Sequence, residues 1–269
     1  MNIKGIDTAA AITEKAAQTL YSEGYRFAGR YLVPASGDTA WKALTAEEAK
    51  RIRDAGLAIL PVWETTASRA KAGAEAGEAD GRRARQLAQG MSIPVKTTIY
   101  FAVDYNAPAE DMGAVKEYFA AAAKAVSPYG CGVYGSYNVV DALELPKWQC
   151  VAWSGGRIHK DATVYQWQGQ QGVEAMALKQ KVGFSVDLNK AATLAGMWQP
   201  ETEYADGDGT ITEYTNLKPN TETPAVRWMR QQGFSHDSAH SDVTWEELCA
   251  VEYAFHGPSD EKRESGLLT

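Results

Sequence analysis

Short runs of β-forming residues recur through the first two hundred positions, and four of them are followed by alanine-rich stretches with helical spacing. The runs are "NIKGID" (2–7), "RFAGRYL" (26–32), "LAILPVWE" (57–64), "TTIYFAVD" (97–104), "CGVYGS" (131–136), "QCVAWS" (149–154), "TVYQWQ" (163–168) and "FSVDLN" (184–189). Helices are predicted over 13–23, 45–55, 68–90 and 109–126, the second opening on "TAEE", a capping-box pattern. After the fifth run the connections shorten, and only "NVVDAL" and "NKAATLAG" retain helical character. Strands alternating with helices imply βα units around a parallel sheet. Eight such strands close most simply into a barrel, which covers both faces and removes the edges. The expected fold is α/β: an eight-stranded (β/α) TIM-like barrel over residues 1–199, with helices mainly in its first half.

Beyond Trp198 the pattern breaks. Residues 200–223 are polar and turn-rich, which reads as a linker; residues 224–258 carry two helical stretches, "TPAVRWMRQQGFSH" and "DVTWEELCAVEYAFHG"; residues 259–269 read as a tail. The small helical appendix is expected to serve wall targeting or self-association, or to pack on the barrel. Within the linker, "DGDGTITE" has the opening of a calcium loop but lacks the acid at its twelfth position.

In barrels of this kind functional groups sit at the C-terminal ends of the strands. Asp7, Glu64 and Asp104 end the first, third and fourth runs, and Asp187 lies near the end of the eighth. Asp104 draws attention first, because it terminates the most apolar strand, where a lone acid is costly unless solvated, paired or used. Arg30 and Tyr31 close the second run and Tyr134 and Ser136 the fifth; Trp153 closes the sixth, and Gln166, Trp167 and Gln168 the seventh. Asp7 and Asp187 also precede helix-like segments and could act as caps, and the tryptophans could be core residues. Independent caps, however, need not converge on one mouth. Cleavage of a sugar needs paired carboxylates, with aromatic faces against which the ring stacks.

Formal net charge is −7, which argues against a nucleic-acid partner. No apolar run approaches the ~20 residues of a membrane-spanning helix, and the first residues show no secretory signal. Cys131, Cys150 and Cys249 form neither a disulfide framework nor a metal-type pair. The barrel region holds one histidine, His159, so a zinc site is not expected. Neither a metal nor a cofactor is expected, although an acid cluster caging a hard cation is a third reading of the same residues.

Taken in order, "GIDTA", "FAGRYL", "PVWE", "IYFAVDYN", "GVYGS", "VAWSGG", "YQWQG" and "SVDLN" resemble the family 1906 of domains of unknown function. This is a glycoside-hydrolase-like barrel similar to the family 25 lysozymes of bacteria and phages. The resemblance covers residues 2–198 and implies a hydrolase acting on the glycan of cell-wall peptidoglycan, of endolysin type. It would be made in the cytoplasm and act at the wall. Asp7 and Asp187 match lysozyme acids on strands one and eight, and "DYN" matches the Asp-x-Glu of strand four only in part, with Asn106 in place of the catalytic Glu. Glu64 is therefore expected to replace it as general acid, with Asp104 stabilising the transition state. Arg30 would hold a carboxylate ionised. Tyr105, Tyr134, Trp153 and Trp167 would stack sugar, while Tyr31, Asn106, Ser136, Gln166 and Gln168 complete the binding surface. Loss of the acid leaves a rival expectation, a carbohydrate-binding barrel without chemistry.

Overall fold

The structure, a computed structural model, describes residues 1–200. The expected linker beyond residue 200, the helical module with its targeting or self-association role, the tail and Cys249 lie outside the described residues.

Eight strands close into a barrel in sequence order: β1 Ile3–Asp7, β2 Tyr25–Tyr31, β3 Ala58–Trp63, β4 Thr98–Ala102, β5 Gly130–Gly135, β6 Lys147–Cys150, β7 Ala162–Gln168 and β8 Asp187–Ala191. The helices are α1 Glu14–Ser22, α2 Ala46–Asp54, α3 Gly73–Gly90, α4 Met112–Val126, α5 Tyr137–Asp141 and α6 Val173–Val182. Neighbouring strands from β1 to β7 are parallel, but β8 runs antiparallel to both β7 and β1. This corrects the all-parallel expectation. Asp187 stands at the start of its strand, and the reversal still brings it to the mouth, directly opposite Asp7.

Two local expectations also change. "NKAATLAG" contributes to β8 and a following turn, whereas the last helix is α6, built from "VEAMALKQKV". The "TAEE" box is half formed: Thr45 Oγ1 accepts from Glu48 N at 3.1 Å, but the Glu48 carboxylate is taken by the Arg30 guanidinium and by Ile12 N.

The two-residue period of the strands sorts side chains to either side of the barrel wall. Outward residues such as Ile6, Ala28, Ile59, Trp63, Phe101 and Val133 pack beneath the helices, meeting Leu20, Ile52, Ala84 and Phe119. Phe27, Leu60, Val62, Tyr100, Tyr134, Trp148 and Met197 fill the interior. There the edges of Tyr100 and Tyr134 meet Trp148 with ring centroids 5.8 and 5.0 Å away. Gly29 makes this possible at one point, since a Cβ there would stand 2.7 Å from both Asp7 Cβ and Trp148 Cη2. At the opposite end the chain returns to the barrel, where Trp198 and Ile59 exchange backbone hydrogen bonds of 2.8 Å.

Candidate active site

The mouth at the C-terminal ends of the parallel strands opens into a cavity of about 380 Å³, and Asp7, Glu64, Asp104 and Asp187 all line it. Tyr31, Val62, Tyr134, Trp148, Gln166 and Gln168 form its walls, with Val151, Ala152 and the loop from Gly169 to Gly172 at the rim. The loop is set by Gln168, whose side-chain oxygen accepts from Ala175 N at 3.0 Å and so caps the first turn of α6. Gly172 leaves the space for that side chain; a Cβ there would overlap it at 2.1 Å.

Asp7 sits deepest, only 6% exposed. It caps no helix. Its Oδ2 accepts from Gln166 Nε2 at 2.9 Å and from Asn189 Nδ2 at 2.6 Å. The orientation of the Asn189 amide follows from its other partner, Trp148 Nε1, at 2.8 Å from Asn189 Oδ1. An indole nitrogen only donates, so the amide must present its NH₂ to Asp7. The Tyr134 hydroxyl lies 3.2 Å from Gln166 Oε1 and steadies the second donor. Because both donors meet Oδ2, a proton on Asp7 belongs on Oδ1.

Burial and the facing Asp187 push the Asp7 carboxyl up to about 8, against the pull of the two amides. Asp104 is pushed up to about 6 by burial and then by Glu64 and Asp187, while Lys42 and the Tyr134 hydroxyl draw it down. Burial also raises Asp187, opposed by the backbone N–H of Gln170. Near neutral pH the cluster thus holds a protonated Asp7 beside a mainly ionised Asp104, the division that general acid and base chemistry needs. Glu64 is ion-paired: Lys42 Nζ lies 3.1 Å from its Oε1 and 4.4 Å from the centre of the Tyr31 ring.

Several expected site residues lie elsewhere. Arg30 points outward from β2 and is fully buried, bound to Glu48 at 2.7 Å and to the carbonyls of Thr8 and Lys42, so it holds no mouth carboxylate. Trp167 is also on the outer face, under Lys190 Nζ at 4.6 Å, because adjacent strand residues face opposite ways and Gln166 and Gln168 take the inside. Ser136 is buried at the start of α5, outside the cavity lining. Tyr105 donates to Asp111 at 3.0 Å, and Asn106 is exposed beside it; neither lines the cavity. Trp153 lies past the end of β6 in a turn, 44% exposed, next to the lining residue Ala152.

Trp148, Asn189 and Lys42 are the residues that sequence reading missed. Strand parity could have found the first two, since Trp148 and Asn189 share the inward phase of their strands with Cys150 and Asp187. Lys42, reached through a loop, left no such signal. Cys131 and Cys150 are free and buried, and burial holds each thiol up at about 12, which removes them from chemistry. Among the described residues no cluster of three or more His, Cys, Asp or Glu side chains is arranged to hold a metal ion.

The barrel is also what comparison with known proteins returns. The model of the Rv2525c-like glycoside hydrolase-like domain matches residues 18–232. The chain belongs to that family. Two relatives from Bacillus subtilis (strain 168) are the uncharacterized proteins FadG, 34% identical over 114 residues, and YbfG, 35% identical over 147 residues. These matches cover 41% and 49% of this chain but only 20% of either relative, so the chain corresponds to one part of those longer proteins. Among solved structures, the Tat-secreted protein Rv2525c of Mycobacterium tuberculosis, crystallised with L-tartrate, is similar with a TM-score of 0.62 and 24% identity. That likeness covers 74% of this chain and all of Rv2525c, and it shows the shared fold. No helix among the described residues is long and apolar enough to cross a membrane.

Proposed function

We propose that this member of the glycoside hydrolase-like family hydrolyses the glycan of bacterial cell-wall peptidoglycan. The observation that carries the reading is the meeting of Asp7, Glu64, Asp104 and Asp187 in one aromatic-walled cavity, with Asp7 and Asp104 pushed to different points of the pH scale. Asp7 is the general acid: the proton on Oδ1 passes to the oxygen of the leaving sugar as its bond to the anomeric carbon breaks. Asp104, ionised, stabilises the oxocarbenium-like centre and takes a proton from the water whose oxygen bonds to the anomeric carbon in place of the leaving group. Lys42 occupies an oxygen of Glu64, where a transferable proton would compete with it, which moves the acid role from Glu64 to Asp7. Asp187, and after it Asp104, supply the negative field that keeps the Asp7 proton in place; Glu64 and Asp187 bind sugar hydroxyls. Tyr31 offers its ring to the sugar, while the buried Tyr134 and Trp148 close the cavity floor beneath it. The resemblance of the ordered motifs to a family that is itself similar to the family 25 lysozymes supports peptidoglycan as substrate, and the secretion of Rv2525c supports action outside the cytoplasm.

The test is release of new reducing ends from purified peptidoglycan, with fragments read by mass spectrometry, for the wild type and Asp7→Asn. Turnover by the wild type alone is the expected result. One observation favours a second reading: Asn106 stands where the similar lysozymes carry a catalytic Glu. A binding barrel without chemistry would retain peptidoglycan and release no reducing ends from it.

A further inference from the structure

Two tryptophans at the mouth have no place in the cavity. Trp41 is 70% exposed at the end of the 3₁₀ turn Gly37–Lys42 after β2, and Trp153 is 44% exposed in the turn after β6. Each adjoins the acid cluster: Lys42, next to Trp41, pairs with Glu64, and Ala152, next to Trp153, lines the cavity. In a barrel closed in the order β1 to β8, β2 and β6 are four strands apart by either route, so the turns that carry the two indoles stand on opposite sides of the opening. For eight tilted strands that opening is about 15 Å across, more than one sugar ring spans.

Trp153 is not a loose surface side chain. Its backbone has a φ of 53°, left-handed territory that a bulky residue rarely adopts without a compensating role. The turn that imposes this is pinned by buried Ser154, whose hydroxyl donates to Cys150 O at 2.6 Å and accepts from Tyr137 N at 2.9 Å and Gln149 Nε2 at 3.2 Å. A rigid turn therefore holds a strained residue with its ring in solvent. On the other side, Ala43 bridges to Tyr31, and Leu44 N donates to Tyr31 O at 2.8 Å, which anchors the Trp41 turn to the cavity wall.

We infer that Trp41 and Trp153 are stacking platforms flanking the carboxylate cavity, so that the site takes an extended glycan laid across the mouth rather than a chain end or a short saccharide. The inference rests on the glycan reading of the cavity. Aromatic faces held rigidly in water suit such a ligand, because the apolar faces of sugar rings are covered while their hydroxyls remain hydrated.

Calorimetric titration of the full chain with N-acetylglucosamine oligomers, from disaccharide to hexasaccharide, tests it. The Asp7→Asn protein serves as background to prevent cleavage. Affinity should rise with length, and Trp41→Ala and Trp153→Ala should each reduce hexasaccharide affinity roughly tenfold, collapsing its advantage over the disaccharide. Trp41→Phe should restore most of the loss. Both tryptophans are exposed, and circular dichroism confirms that the variants fold. Equal affinity at all lengths, or hexasaccharide binding that survives both alanine substitutions, would overturn the bridge and leave the cavity reading intact. Absence of binding at every length would remove both.

Discussion

Asp7 and Asp187 are direct cross-strand partners on the antiparallel β1–β8 seam, two carboxyl groups on the same side of the barrel wall and in the same cavity. Like charges in that relation repel, and here burial strengthens the penalty. The fold resolves the conflict with a proton: Asp7 keeps one up to about pH 8, held by Asp187 and by burial, while two amide donors occupy its other oxygen.

This arrangement has a cost in stability with a definite sign. Because the folded protein holds a proton on Asp7 that the unfolded chain releases near its usual carboxylate value, the folded state binds more protons across that window. Stability therefore falls as pH rises from about 4 through about 8. Asp7→Asn preserves the shape and the amide contacts without the charge. At pH 9 it is expected to be more stable than wild type by a few kcal/mol, raising Tm by roughly 5–10 °C. At pH 4 the gain should disappear. Thermal denaturation of both proteins at the two pH values checks it.

The same substitution should act on turnover in the opposite direction. An amide keeps the hydrogen bonds but cannot release a proton to a leaving oxygen, so hydrolysis should fall by about 10²–10⁴ while binding of a short oligosaccharide persists. In the wild type, kcat/KM should fall at low pH as Asp104 gains a proton near 6 and at high pH as Asp7 loses one near 8. A protein that is more stable and inactive at once would identify Asp7 as a residue held against the interest of the fold.

Asp7, Glu64 and Asp104 were legible because apolar runs ended on them, and the strand-end rule placed these three at one mouth; Asp187 reaches it as the first residue of a reversed strand. What the runs could not convey was direction. An isolated five-residue strand looks alike read either way, so the reversal of β8 was invisible, although it left Asp187 at the correct end. Helix α6 was missed because exposed Val173 and Met176 blur the stripe made by Ala175, Leu178 and Val182. Arg30 and Trp167 were misassigned by proximity to the strand end without regard to parity. Their neighbours Tyr31, Gln166 and Gln168 take the inward phase, and Arg30 finds its partner in Glu48, which no strand pattern announces.

Lys42 sets the other limb of the reaction. Its ammonium lowers the Asp104 pKa and neutralises Glu64 at 3.1 Å, so Lys42→Met should let Asp104 rise further above its usual range. The acid limb of the pH–rate profile should then move to higher pH, with activity at pH 6 falling more than activity at pH 8. A uniform fall across the profile would instead mean that Lys42 acts through substrate contact or packing against Tyr31.

Asn106 decides how much the similarity to the family 25 lysozymes can be pressed. It is exposed and outside the cavity, on a segment where Tyr105 is tied to Asp111 and Asp111 to Lys71 at 3.0 Å, which fixes the loop in place. Asn106→Ala should therefore change kcat/KM by less than about twofold, since a solvated amide is neither proton donor nor wall. Asn106→Glu is the sharper comparison. If the chemistry depends on Asp7, a solvated acid at 106 should leave both the rate and the pH profile close to wild type. It should also fail to rescue Asp7→Asn. Rescue of that variant by Asn106→Glu, measured as reducing ends released from purified peptidoglycan, would show that the loop reaches the substrate during turnover and that the acid belongs at the lysozyme-like position.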